Sequence, residues 1–261
     1  CFFSYTSLSV NSYKMRYTKI SASGNSFVLI NNLDAQIEAN PELAKGLCAK
    51  EGVDGLLLIE PTKEADFRMR IFNPDGQEAE MCGNGARCVA YFAHSTGITG
   101  STLEFKTIAG RIKAEVSSGR VKVSVGEPKD LRLYIPIEPE LHFVRVGVPH
   151  TIIFCDDIDG LDLKEMGPAI RYHQLFSPEG TNVNLVQVVS SNKIKVRTYE
   201  RGVEGETLCC GTGSASSSYI SHLTKDLQFP ITVEPKSKEE VNVYWEDNLL
   251  FIEGSVLIAE C

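Results

Sequence analysis

Between residues 111 and 127 the chain reads RIKAEVSSGRVKVSVGE, with apolar and polar positions alternating on both sides of Ser-Ser-Gly. A period of two sends successive side chains to opposite faces of an extended backbone, so the stretch predicts a hairpin. Alternation and β-branched content predict further strands over 26–31, 55–60, 66–72, 150–155, 182–189 and 193–199. The run LLLI at 56–59 reads as a buried strand. Helices are predicted at PELAKGLCAK (41–50) and LKEMGPAIRYH (163–173). Two more follow Gly-rich turns: 86–95, where Ala, Cys, Val, Tyr and Phe succeed Gly85, and 213–223, where Ala, Ser, Tyr and Ile succeed Gly213.

The order of these elements repeats. GNSFVLINNLD from Gly24 resembles GVPHTIIFCDDID from Gly147, and GVDGLLLIE from Gly52 resembles GTNVNLVQV from Gly180. FRMRIFN at 67–73 matches IKVRTYE at 194–200, and Cys82 matches Cys210, all four offsets lying between 123 and 128. A shared order at a shared spacing predicts a duplicated α/β domain. Each half reads strand, helix, two strands, a Gly-rich turn carrying a cysteine, and a second helix.

Composition narrows the class. With 261 residues, 43% hydrophobic and 23% charged, the chain is that of a globular protein with a substantial core. A formal charge of −8 argues against a nucleic-acid surface and points to a small-molecule partner. No apolar run approaches the length that spans a bilayer. The opening CFFSYTSLSVNSYK has no basic flank before its apolar part and precedes Met15, so 1–14 is expected to be an extension upstream of the domain and a poor signal peptide. The eight cysteines show neither a framework spacing nor a C-x-x-C pair, which favours a reducing cytoplasm, no disulfide scaffold and no metal site.

Two cysteines stand apart from the rest. GQEAEMCGNGARCVA (76–90) and GETLCCGTGSAS (205–216) share one layout: Glu, three residues, Cys, then Gly-x-Gly before a helix. A helix start leaves about four N–H groups without intrahelical partners and carries roughly half a positive charge. A thiolate placed there is stabilised, and a carboxylate docks on the same N–H groups. Glycines flanking Asn84 and Thr212 let backbone approach a ligand closely. One such motif alone is weak evidence, because a buried cysteine is usually packing. Two, at equivalent places in a duplicated chain, set a pair of thiols on opposite faces of one bound molecule. That is what inversion at a carbon requires: a thiolate removes the α-proton of an amino acid, and a thiol on the other face returns one. Each sulfur would lie about 3–3.5 Å from that carbon.

With FNPDGQEAEMCGNGARC and YERGVEGETLCCGTG the chain, from about Met15 to its end, resembles the diaminopimelate epimerases, which interconvert LL and meso isomers without a cofactor. The resemblance implies an isomerase that serves lysine and peptidoglycan precursor synthesis as a homodimer. It implies two pseudo-symmetric domains, each a mostly antiparallel, barrel-like sheet around a central helix, with the site in the cleft between them. The halves are expected at 15–125 and 126–247, with the terminal strand in 248–261 returning to the first. By position, Cys82 and Cys210 are the acid–base pair and Cys209 is packing. Gly83, Asn84, Gly211 and Thr212 would bind the reacting carboxylate through their amides, and Glu200 and Arg201 the amino group and the distal carboxylate. Asn25, Asn73 and Asn182 align with substrate-contacting asparagines, and His150 and Glu200 with positions that assist the thiols. Oxidation is expected to join Cys82 to Cys210 as an inactive disulfide if the empty cleft lets the sulfurs meet.

Two residues depart from the family pattern. Ser26 replaces an aspartate, and Val148 replaces an asparagine expected to hold the distal end of diaminopimelate. The second change motivates an expectation of looser substrate choice, admitting a shorter dicarboxylic amino acid such as glutamate. A proline-racemase-like enzyme shares two-thiol chemistry but lacks the YERG and FNPDG context. Adjacent Cys209 and Cys210 leave a redox or metal-handling protein as the reading from another class.

Overall fold

A computed structural model describes residues 6–10 and 13–258, in two compact units. One unit comprises the described residues up to Val123 together with those from Gly254 on; the other is Ser124–Glu253. Of the expected extension 1–14, residues 1–5, 11 and 12 lie outside the described residues, as do 259–261 of the terminal stretch. Thr6–Val10 is a strand paired antiparallel with Tyr13–Ala22. Four helices occur among the described residues: α1 (Pro41–Glu51), α2 (Gly83–Ser95), α3 (Leu163–Arg171) and α4 (Gly211–Lys225). None is long and apolar enough to cross a membrane.

Within the first unit Tyr13–Ala22 pairs antiparallel with Asn25–Asn31 across a Ser23-Gly24 turn, both turn residues having positive φ. Asn25–Asn31 then pairs parallel with Gly55–Glu60, and that strand pairs antiparallel with Phe67–Phe72. Phe67–Phe72 takes the short Glu78–Ala79 on one stretch and, in parallel, Thr102–Thr107 on another; Thr102–Thr107 leads through the antiparallel Gly110–Ser117 to Arg120–Gly126. The second unit repeats the scheme with Leu141–Val146, Val148–Phe154, Asn182–Ser190, Lys193–Glu200, Gly205–Thr207, Ile231–Pro235 and Val241–Glu246. Even the registers correspond. Phe27 opposite Gly55 answers to His150 opposite Asn182, and Phe67 opposite Phe105 to Ile194 opposite Val233. The duplication read from the sequence is therefore a duplication of hydrogen-bonded architecture.

In each unit one helix lies on the outside of the sheet and one is enclosed by it. Leu56, Leu57, Leu58 and Ile59 are all wholly buried, because both faces of their strand are covered. Leu56 and Leu58 pack with Ala44, Leu47 and Cys48 of α1, whereas Leu57 points at Gly85 of α2. In the second unit Val183, Leu185 and Tyr199 pack with Leu163 and Ile170 of α3. Helices α2 and α4 each touch at least five strands of their own unit. Outer helix α1 carries its own boundary signals: the Asn40 side chain accepts from the Leu43 N–H, Pro41 opens the first turn, and Gly52 closes the last at φ 63°.

The enclosed helices begin earlier than predicted, at Gly83 instead of 86 and at Gly211 instead of 213. Glycine lowers helix propensity, so Gly-x-Gly reads as a turn when it is the first helical turn. The reason for glycine is tertiary. A Cβ on Gly85 would lie 3.0 Å from a Leu57 methyl, and one on Gly213 2.5 Å from Asn184 Oδ1. These second glycines let the helices approach their own strands. Near the end of the chain Leu249–Ser255 pairs with Val241–Glu246, and Leu257–Ile258 pairs with Tyr13–Ala22.

Because α4 is enclosed, Ser216, Ser217, Ser218 and Ser221 are fully buried, with hydroxyls that have no hydrogen-bond partner. Such groups keep their desolvation cost without compensation. Replacing Ser217 or Ser221 with Ala should raise stability by about 0.5–1 kcal/mol each, seen as a higher urea midpoint at unchanged m-value. An unchanged or lower midpoint would show that these hydroxyls are satisfied.

Candidate active site

Cys82 is the N-cap of α2, in extended backbone at φ −141° and ψ 121°, and its Sγ accepts from the Gly85 N–H at 3.5 Å. Cys210 holds the equivalent place on α4, at φ −112° and ψ 111°. The N–H groups of Gly83 and Asn84, and of Gly211 and Thr212, open their helices and so lack intrahelical acceptors by construction. Each turn thus pairs a sulfur with two amides at the positive end of a helix. Both cysteines are half-buried free thiols, whereas Cys209 is buried. Cys88, six residues further along, is fully buried, and burial pushes its thiol far up, so it is unreactive.

Around Cys82 the polar groups are locked together. The Asn84 amide donates to Asn25 Oδ1 at 2.7 Å, and Asn84 Oδ1 accepts from Arg87 Nη2 at 2.6 Å. Arg87 also reaches the Ser23 hydroxyl at 2.8 Å and is itself fully buried. Asn84 therefore spends its side chain inward and offers the site its backbone N–H. The Ser23-Gly24 turn carries Asn25 to the start of α2. Asn73 stands apart from this chain: it is exposed, its N–H donates to the Gln77 carbonyl at 2.9 Å and its carbonyl accepts from Gly76 at 2.9 Å, the bonds of a turn residue. Ser26 has a local account. Its N–H and hydroxyl donate to Asp54 Oδ2 at 2.8 and 3.2 Å, so an aspartate at 26 would face a like charge.

Around Cys210 the contacts run differently. Sγ lies 3.6 Å from Thr212 Oγ1, which lies 2.9 Å from Nε2 of His150. The other ring nitrogen of His150 meets the Asn184 amide at 3.2 Å. Asn182 donates to the Pro149 carbonyl at 3.0 Å and accepts from the Arg201 N–H at 2.7 Å, which places the Glu200-Arg201 turn beside the Val148–Phe154 strand. The Arg201 guanidinium sits 3.9 Å from Glu179 Oε2. Val148 lies half-buried beside the Gly147 turn, at the repeat position that Asn25 holds in the first unit.

Electrostatics sets the resting state of this half. Burial first, then the Glu200 carboxylate, pushes the Cys210 thiol well up; Thr212 and the Gly213 amide counter only in part. Burial also raises the Glu200 carboxyl against a hydrogen bond from Thr207. His150 is fully buried and pushed down to about 3, by burial and then by the Arg201 charge. It is neutral at any physiological pH, and Cys210 rests as the protonated thiol.

Glu78, four residues before Cys82, is held by Arg70 through two bonds of 2.7 Å, and Glu206, four before Cys210, by Arg197 through bonds of 2.8 and 3.1 Å. Both arginines project from the strand that pairs with the short, glutamate-bearing strand before the cysteine turn, so a bidentate clamp anchors each turn to its sheet. The repeated Glu-x-x-x-Cys spacing was the signal for it. Asn184 likewise goes unread in the sequence, although it follows Asn182 by two residues on one strand and so shares its face.

The family model described as "Diaminopimelate epimerase" matches residues 17–131 and 142–254. The chain is 40% identical over 265 residues to a protein named diaminopimelate epimerase from Aquifex aeolicus, covering 93% of this chain and 95% of that one. It is 39% identical over 246 residues to one of the same name from Campylobacter jejuni, covering 93% and 96%. Among solved structures, a phenazine biosynthesis protein of the PhzF family from Bacillus anthracis matches with TM-score 0.73 at 16% identity, covering 94% of this chain and 97% of its own. A probable proline racemase from Agrobacterium radiobacter K84 matches with TM-score 0.65 at 15% identity, covering 95% and 92%. At such identities these two share the fold.

The clamps carry a pH dependence. Arg70 holds Glu78 below its ordinary value of 4.5 chiefly through their hydrogen bonds, and Arg197 and Lys236 hold Glu206 below it against the opposing effect of burial. A depressed carboxylate contributes stability that is present above that ordinary value and lost as pH falls through the folded one. Glu78→Gln should lower stability at pH 7 by about 2 kcal/mol and flatten the fall in urea midpoint below pH 4.5. Equal midpoints for wild type and variant at pH 7 would show that the clamp contributes nothing.

Proposed function

The chain belongs to the diaminopimelate epimerase family, and from that premise we propose that it interconverts LL- and meso-diaminopimelate by two-base chemistry needing no pyridoxal phosphate. The observation that carries the reading is the repeated local geometry: each unit holds one cysteine at the N-cap of its enclosed helix, with free helix-start amides beside it. In one direction a thiolate at Cys82 takes the α-proton as the Cα–H bond breaks. The electron pair moves onto the carboxylate, and the Cys210 thiol delivers its proton to the opposite face of the carbon. The products are an inverted centre and exchanged sulfur protonation states, which solvent resets. The reverse direction starts from the other sulfur.

The weak acidity of the α-proton is the obstacle. Amides of Gly83, Asn84, Gly211 and Thr212 at helix N-termini are fixed donors for the carboxylate as it becomes dianionic, and such preorganised donors act most strongly where charge develops. Glu200 and Arg201 would receive the amino group and the distal carboxylate, with Asn25 and Asn182 supporting the ends of the substrate. His150, which meets Thr212 and is too far depressed to carry a proton near neutrality, assists without transferring protons. A cytoplasmic homodimer supplying lysine and peptidoglycan precursors fits this reading.

Val148 favours a second reading within the same chemistry. The first repeat keeps an asparagine at this place, Asn25, and the second has lost it. Without that donor a distal group is recognised less strictly, and glutamate becomes a competing substrate. Val148→Asn should raise the preference for diaminopimelate over glutamate by about tenfold or more, the worth of one hydrogen bond to a charged group. A preference that does not move, or wild-type enzyme inert on every amino acid except diaminopimelate, would remove the broader reading.

The central test is isotopic. In heavy water the wild type should place deuterium on the α-carbon of diaminopimelate while inverting it, and Cys82→Ser or Cys210→Ser should slow inversion by about a thousandfold. Inversion at the wild-type rate in either variant would overturn the two-thiol reading.

A further inference from the structure

Asn184 and His150 are fully buried polar side chains at places where the fold asks for none. By the register of the duplication, their counterparts in the first unit are Leu57 and Phe27, also buried, on the matching strands. The same architecture therefore packs with two hydrocarbons there. What the second unit gains from polar residues is a continuous line of hydrogen bonds that ends on a sulfur.

The direction of that line follows from its fixed end. Asn184 Nδ2 lies 3.0 Å from the Thr151 carbonyl, which only accepts, and Asn184 Oδ1 lies 2.9 Å from the Thr198 hydroxyl. Turning the amide over would set two carbonyl oxygens against each other, so the nitrogen stays where it is. Its second hydrogen points to His150 Nδ1 at 3.2 Å. A neutral imidazole that accepts at Nδ1 carries its proton on Nε2. Nε2–H then donates to Thr212 Oγ1 at 2.9 Å, and the Thr212 hydrogen is left to donate to Cys210 Sγ at 3.6 Å.

We infer that Asn184 is a positioning residue that locks His150 in its Nε2–H form, so that the Thr212 hydroxyl donates to the Cys210 sulfur and stabilises its thiolate. The inference rests on the proposed role of Cys210 as an acid–base group. It also explains how a thiol beside the Glu200 carboxylate and the Cys209 thiol, and with no cation in direct contact among its described neighbours, becomes ionisable during turnover. A histidine in the other tautomer would accept from Thr212 and turn the hydroxyl hydrogen away from sulfur. The Arg201 charge works in the same sense by keeping the ring neutral.

The tautomer and the reactivity of the thiol can be read without substrate. Ring-nitrogen NMR of the free wild-type enzyme, with His150 assigned through a His150→Phe variant, should show a bare Nδ1 and a protonated Nε2 from pH 6 to 8. Asn184→Asp offers only acceptors and should move the proton to Nδ1. In a Cys82→Ser background, alkylation of Cys210 by iodoacetamide at pH 8, followed by peptide mass mapping, should slow about tenfold with Asn184→Asp. Asn184→Leu, the residue the first unit uses, guards against misfolding and should slow it similarly. On the full enzyme, kcat should fall with KM unchanged, because Asn184 acts on the sulfur and not on the substrate. A wild-type His150 protonated at Nδ1, or alkylation indifferent to both substitutions, would overturn the inference. Failure of the two-thiol reading would register separately, as α-exchange surviving Cys210→Ser.

Discussion

A helix enclosed by its own sheet can present its dipole to a ligand only at an end, and everything in this protein is arranged around two such ends. Helices α2 and α4 are covered by strands of their units, while the residues that open them, Cys82 and Gly83, and Cys210, Gly211 and Thr212, are half-buried. A cysteine placed as the N-cap inherits the field of that dipole. Close packing maintains the arrangement: Gly85 and Gly213 lie against the sheet where a methyl group would collide, which fixes where the first turn of each helix begins.

The two units share this scaffold and differ in how they use it. Strand order, parallel and antiparallel pairings, registers and the arginine–glutamate clamps are common to both. The polar groups around the sulfurs are not. Asn84 and Arg87, on the helix itself, organise the surroundings of Cys82, whereas strand residues His150 and Asn184 organise those of Cys210. Duplication supplies two frames of the same architecture. Dissimilar polar shells on equal frames give the two sulfurs different surroundings.

The state of Cys210 illustrates how opposing effects are balanced. Burial and the Glu200 carboxylate favour the protonated thiol, while the helix end, Thr212 and the Gly213 amide favour the thiolate. A sulfur held only by the favourable group would ionise permanently and be a weak base. A sulfur held only by the unfavourable ones would never release a proton. The competing influences leave a protonated thiol whose conjugate base has waiting donors.

Much of this was legible in the residues before any fold was known. The hairpin over 111–127, the double-sided burial of LLLI, the repeat and the cysteine before each Gly-x-Gly are local or periodic properties, and local properties survive in a linear text. Helix starts were misplaced because the force that makes Gly85 and Gly213 helical comes from strands distant in sequence. The clamp partner Arg70 and the significance of Asn184 were beyond reach for the same reason. Hydrogen-bond direction depends on which acceptor faces which donor across strands, and only the folded chain brings the Thr151 carbonyl to the amide that orients His150. Residue types and spacing thus determined the kind of chemistry available, while three-dimensional pairing decided which nitrogen carries the proton.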